Sequence, residues 1–196
     1  VASNYLCDLR PGDEVTITGP SGRRFLLPSA IGSHDYLLIS TGTGIAPFRG
    51  MLAELLEQDI KSNITLISGS PYATDLLYDG LLRDMSSEHQ EFRYLTATSR
   101  EAQPDTSERM YVADRLALNF DEVFPILCSE RGLIYICGIK GMEIGIYKEL
   151  VKWLPPEWLD RYLHIDPQSS SDIDDWDHTF VRSHVRPTKR VFLEVY

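Results

Sequence analysis

Three stretches of this 196-residue sequence bring together residue types able to hold a phosphorylated ligand. The first is Gly42-Thr43-Gly44-Ile45-Ala46-Pro47, which follows the apolar run "YLLIS" at residues 36–40 and leads into a pattern of helical period. Pro47 suits a first helical turn, where its missing N–H is not needed. At such a junction free backbone N–H groups and the helix dipole favour an anion, so a phosphate or pyrophosphate is the expected guest. Gly42 and Gly44 let a backbone or a ring come close, and Thr41 and Thr43 offer hydroxyls. No Lys-Ser/Thr pair follows the glycines, so the loop is not built to grip a γ-phosphate and Mg²⁺. A tight turn with no ligand is the other reading of these six residues.

The second stretch is "YICGIKGM", residues 135–142, where Cys137 and Gly138 end an apolar run and Gly141 opens a helix. A buried cysteine is by default a small, inert core residue. Together with the first loop, however, this second glycine-bearing strand end outlines a crevice. The third stretch, "TSREAQPDTSERMYVADRL" at residues 98–116, places Ser99, Arg100, Arg109 and Tyr111 around a polar loop. Paired N–H donors of Arg suit a dianion such as the 2′-phosphate of NADP(H), and Tyr111 is placed to stack on an adenine or donate a hydrogen bond. A solvated charged loop is the alternative.

The elements that must position these residues follow a regular rhythm. Runs rich in β-branched and aromatic residues at 36–40, 64–68, 92–98 and 133–138 alternate with helical patterns at 47–58, 75–85, 111–118 and 142–153. Strands apolar on both faces and separated by helices predict a doubly wound α/β fold, a mostly parallel sheet of five strands covered on both sides. Upstream, residues 3–9 read as a short helix or turn, and "EVTITGP" and "RFLLP" read as short β pieces. Residues 1–33 are expected to be a separate unit from the α/β domain of 34–196. The tail carries Pro155-Pro156, a Ser run and five Asp between 166 and 177, so 155–187 reads as a long, partly irregular excursion before "RVFLEVY" closes the chain.

Composition narrows the chemistry. With 43% hydrophobic residues the chain can bury a sizeable core, and its net charge of −10 argues against nucleic acid or an anionic membrane surface as partner. No run approaches the roughly 20 apolar residues of a membrane span. Cys7, Cys128 and Cys137 have no metal-site spacing and are odd in number, which favours neither a zinc site nor a disulfide framework. A reducing compartment is expected, the cytoplasm or, in a eukaryote, an organelle stroma. The opening "VASNYLCDLRPGDEV" lacks Met and reads as a fragment or a processed chain.

Taken together, these motifs resemble the plant-type ferredoxin–NADP(+) reductase family, in its carboxyl-terminal two-thirds. "GTGIAPFRGML" looks like the family's pyridine-nucleotide loop, "YICGIKGMEIGI" like its Cys-Gly-Leu-Lys-Gly-Met element, and "SR…RMY" like its 2′-phosphate signature. "SNYLCDLRPGDEVTITGP" resembles the end of its flavin barrel, and "FLEVY" its last strand with a final Tyr. The resemblance implies an oxidoreductase in which NADPH delivers hydride to FAD, and FAD exchanges single electrons with ferredoxin, flavodoxin or an oxygenase component.

Carried over by position, Thr43 and Gly44 would meet the pyrophosphate and nicotinamide, while Gly69, Ser70 and Pro71 would line the nucleotide groove. Ser99, Arg100, Arg109 and Tyr111 would read the 2′-phosphate. Cys137, followed by Gly138, would lie near the carbon that exchanges hydride, and Glu194 would stabilise charge or relay protons. Tyr196 would stack on the flavin and move aside for the nicotinamide, and Ser3 would bind the FAD pyrophosphate. No metal is implied. The chain departs from the family in lacking an Arg-x-Tyr-Ser segment, in Ala113 where Gln is usual, in Arg109 where Lys is more usual, and in the 155–187 excursion. A non-catalytic NADP(H)-binding or regulatory module without flavin is the competing reading.

Overall fold

The computed structural model describes residues 2–19, 25–58, 61–167 and 172–196. A short helix α1 (Ala2–Asp8) comes first, and the α/β unit follows as β1 (Asp35–Thr41), α2 (Ala46–Glu57), β2 (Ile64–Ser70), α3 (Asp79–Glu88) and β3 (Phe92–Thr98). It continues with α4 (Val112–Leu118), α5 (Phe120–Leu127), β4 (Gly132–Gly138) and α6 (Met142–Trp153). The excursion holds α7 (Pro156–Leu159), β5 (Leu163–Ile165), α8 (His178–His184) and β6 (Val185–Pro187), and β7 (Val191–Val195) ends the sheet. Five strands pair in the order β3-β2-β1-β4-β7, every pair parallel.

The alternation of side chains along β1 explains why the sheet is covered twice. Leu37 and Ile39 pack with Ile134, Ile136, Leu116, Val123 and Ile146, under α4, α5 and α6. Tyr36 and Leu38 point the other way and pack with Phe48, Leu52, Leu55 and Leu82 of α2 and α3. Successive residues of a strand face opposite sides, so a strand apolar throughout must be sandwiched. Each fully buried Leu or Ile contributes roughly 1.5–3 kcal/mol. The edge strands β3 and β7 are only partly buried, as expected where one side has no neighbour.

Three expectations need correction. Residues 14–19 of "EVTITGP" form no strand and are exposed, and residues 25–28 of "RFLLP" are likewise not strand, while Pro20 and Arg24 lie outside the described residues. A β-like sequence forms a strand only when a ladder partner takes its N–H and C=O groups, and none of the described strands runs beside it. Phe25 and Leu27 instead pack against the α2 side of the core, with the Phe25 ring edge-on to Tyr135. The helix expected from residue 75 begins at Asp79, because Tyr78 sits in left-handed conformation (φ 61°) and interrupts the run.

The excursion is folded, not loose. β5 and β6 pair antiparallel, Asp177 caps α8 by accepting from the Phe180 N–H at 2.7 Å, and Trp176, Val181 and Val185 join the core beneath α6. Lys148 of α6 donates to the Asp174 carbonyl at 2.8 Å. The Ser run at 169–171 lies outside the described residues.

Candidate functional site

β1 has β2 on one side and β4 on the other, so the chain order reverses between β1 and β4 and a crevice opens past their carboxyl ends. The two strand ends are stitched together by Thr41. Its Oγ1 accepts from the Ile139 N–H at 2.9 Å and donates to the Met142 sulfur at 3.4 Å. Gly138 makes this possible, since at φ +149° a Cβ there would collide with the Thr41 hydroxyl and main chain. Gly44, by contrast, is buried beneath the turn with its α-carbon against the Cys137 carbonyl, so its lack of a side chain serves the contact between the two strand ends.

A cleft of about 760 Å³ lies over this junction. Thr41, Gly42 and Thr43 form one wall, Gly69, Ser70 and Pro71 continue it past β2, and Ile139 to Met142 with Gly145 and Lys148 of α6 form the other. Ser99, Tyr111, Ala113 and Asp114 close the far end, and Tyr196 the near end. The two helix starts facing the cleft differ electrically. Glu143 already places a carboxylate at the head of α6, accepting from the Gly141 N–H at 2.7 Å. The first turn of α2 carries no acidic residue, so its positive end is the one left for an outside anion.

At the far end, Asp114 accepts from the Tyr111 N–H at 2.8 Å, which fixes the start of α4 and leaves the Tyr111 ring 71% exposed. Arg100 is held by its backbone N–H on the Pro71 carbonyl at 2.9 Å. Its guanidinium and that of Arg109 are exposed and have no acidic partner among the described residues. At the near end, the Tyr196 hydroxyl and Thr43 Oγ1 lie 2.5 Å apart. The backbone of Tyr196 is pinned on both sides, its N–H on the Gly138 carbonyl and its carbonyl under the Lys140 N–H. Cys137 pairs with Glu194 across β4 and β7 and is buried; burial first, and the Glu194 carboxylate second, push its thiol pKa up, so it is a neutral thiol and not a ready nucleophile.

Residues 38–148 match the oxidoreductase NAD-binding domain family. The chain is 41% identical over 155 residues to the root-type chloroplastic ferredoxin–NADP reductase of Nicotiana tabacum, covering 76% of this chain and 41% of that protein. To the ferredoxin–NADP reductase of Spirulina sp. it is 39% identical over 152 residues, covering 74% of this chain and 51% of that one.

The chain belongs to the plant-type ferredoxin–NADP reductase family.

It spans about half the length of the curated relatives it matches. Among solved structures, the ferredoxin–NADP⁺ reductase of Plasmodium falciparum superposes with a TM-score of 0.67 at 22% identity, covering 100% of this chain and 64% of that one, which supports the shared fold.

Of the residues singled out from the sequence, the reductase fold brings Thr43, Gly69, Ser70, Pro71, Ser99, Tyr111 and Tyr196 to the walls of one cleft. Arg100 and Arg109 belong to the loop at its far end but are not among its lining residues. Gly44, Cys137 and Gly138 form the packed junction near it and do not line it, nor does Glu194, which pairs with Cys137 in the ladder and is exposed. Ser3 is exposed on α1 and is not part of the lining. The α6 face was missed: Gly141, Gly145, Lys148 and Glu149 recur at helical spacing downstream of "YICG", a signal visible once that helix is taken to border the crevice.

Proposed function

We propose that this chain is the NADP(H)-binding part of a ferredoxin–NADP reductase-like oxidoreductase, with residues 34–196 as the nucleotide domain and 1–33 as the end of a flavin-binding unit. The observation that carries the reading is the cleft itself: a crevice at the sheet's switch point whose far end is closed by exposed Tyr111, next to a loop that carries two exposed arginines. The residues present fit an NADP(H) molecule laid along it. The head of α2 and the Thr43 hydroxyl would take the pyrophosphate, and Ser99, Arg100 and Arg109 the 2′-phosphate. Tyr111 would cover the adenine. Tyr196 stands over Thr43, so the nicotinamide must displace its hydroxyl to reach that position. Lacking an ionised thiol, Cys137 would shape the floor and keep water from the reacting face.

Bound there, the reduced nucleotide supplies a hydride, which in the intact reductase goes to FAD. A second cavity, of about 320 Å³ between Arg83, Ser86, Ser87 and Tyr94, lies toward the opposite edge of the sheet from Tyr196. Ferredoxin is the electron partner this reading favours, with flavodoxin or an oxygenase component in the same role. Among the described residues no helix is long and apolar enough to cross a membrane. An organelle stroma, as for the chloroplastic relatives, or the cytoplasm is the proposed compartment.

Titration calorimetry with NADP⁺ and NAD⁺ tests the assignment. Charge-assisted hydrogen bonds contribute about 1.5–3 kcal/mol each, so NADP⁺ should bind roughly 10- to 100-fold tighter than NAD⁺. Arg100→Ala should remove most of that preference. Equal affinities for the two nucleotides in the unmodified chain would overturn the reading.

A further inference from the structure

The helix that follows the β3–α4 loop carries a third arginine with a different burial. Arg115, on the second turn of α4, has a side chain only 3% exposed and does not line the cleft. Its Nε donates to the Thr96 carbonyl at 2.7 Å, and its two Nη atoms donate to the two carboxylate oxygens of Asp105 at 2.6 and 3.0 Å. A guanidinium is a planar fork of five donors, and this one is engaged along three directions by a strand and a loop tip. Asp105, in turn, sits at the outer end of the loop with its side chain 57% exposed.

The rest of the loop is closed by backbone contacts. At its base Met110 N–H reaches the Thr98 carbonyl at 2.9 Å and Ser99 N–H the Ser70 carbonyl at 3.1 Å. In the tip, Gln103 N–H donates to Glu108 and Ser107 N–H to Gln103, with Ser107 in left-handed conformation. Arg100 and Arg109 stand on the two arms between base and tip. The Asp105 carboxylate ties that tip to α4 and β3 at once. Arg115 does not line the cleft, and its contacts are with the strand and with the tip that joins the two arms.

Resting on the NADP(H) reading above, we infer that Arg115, acting through Asp105, is a positioning residue that holds Arg100 and Arg109 at the spacing a 2′-phosphate requires, and so determines the preference for NADP(H) over NAD(H). A bidentate clamp on a dianion loses strength when either donor is displaced, whereas a nucleotide without the 2′-phosphate makes no contact there. The signature is therefore selective: one nucleotide weakens and the other does not.

The experiment compares the unmodified chain with Asp105→Asn, Asp105→Glu and Arg115→Lys, measuring binding of 2′-phospho-AMP and of 5′-AMP alongside NADP⁺ and NAD⁺. Asp105 is exposed, so Asp105→Asn tests the tie without opening the core, and the thermal midpoint checks that the fold is kept. Asp105→Asn is expected to weaken NADP⁺ and 2′-phospho-AMP by about five- to tenfold while NAD⁺ and 5′-AMP stay within about twofold. Asp105→Glu should recover most of the loss, because it restores the paired acceptor, and Arg115→Lys should behave like Asp105→Asn. If the unmodified chain prefers the 2′-phosphate and Asp105→Asn keeps that preference, or weakens both nucleotide classes alike, the positioning role is wrong and the binding site stands. If the unmodified chain shows no preference, the NADP(H) reading fails and this inference with it.

Discussion

Replacing Gly44 with Ala should be a damaging one-carbon change at the junction beneath the crevice. An ideal Cβ at Gly44 would meet the Cys137 carbonyl oxygen, the Cys137 carbonyl carbon at 2.5 Å and the Gly138 α-carbon at 2.8 Å. All three are main-chain atoms of β4, so no side chain can rotate away. Relief needs the turn after β1 and the end of β4 to part by about 1 Å, which breaks into close packing on both sides. Overpacking costs about 1–3 kcal/mol, and with backbone on both sides the upper end applies. For a chain of this size that is roughly 6–12 °C in melting temperature. Gly50→Ala is the internal control: it lies inside α2 with nothing within 4 Å of its ideal Cβ, so Ala should stabilise by about 0.5–1 kcal/mol through helix propensity. Circular-dichroism melts of the two variants read both signs at once. A Gly44→Ala chain melting within about 2 °C of the unmodified protein would refute the argument that the two strand ends touch at this glycine.

Two further tests follow from burial. Burial raises the Tyr162 phenol to about 12, and Tyr36, Tyr94, Tyr135 and Tyr147 are raised by burial as well. These phenols ionise at about 10 in an unfolded chain, so their contribution is complete below that pH and is lost as pH rises toward 12; the urea midpoint should fall steadily over that interval, and a flat midpoint would contradict the burial. Alkylation at neutral pH should modify exposed Cys7 first, half-buried Cys128 next and Cys137 last, followed by mass spectrometry of the digested protein; Cys137 reacting as fast as Cys7 would mean that the junction is open.

How much of this was legible in the sequence depends on where each residue's partner lies. The strands of the sheet centre were readable because burial on both faces leaves an uninterrupted apolar run, and α6 because Gly141 in left-handed conformation (φ +98°) marks its start and Leu154-Pro155 its end. "VTIT" had the same local look and failed, since a strand is completed by its neighbour and not by its own propensity. The same limit governs the site. Gly44 offered room for a backbone or a ring, and which of the two takes it was not legible because the neighbour, the Cys137 carbonyl, is remote in sequence. The loop at 99–115 sharpens the point, for it holds three arginines of identical chemistry at positions 100, 109 and 115. The sequence motifs single out the first two for a phosphate and say nothing of Arg115. The fold divides them by burial: the one inside the protein is bound to Asp105 and Thr96, and the two outside have no acidic partner among the described residues. On the proposed reading a 2′-phosphate would reach out of the cleft to those two, and an arginine it never touches would govern how they stand.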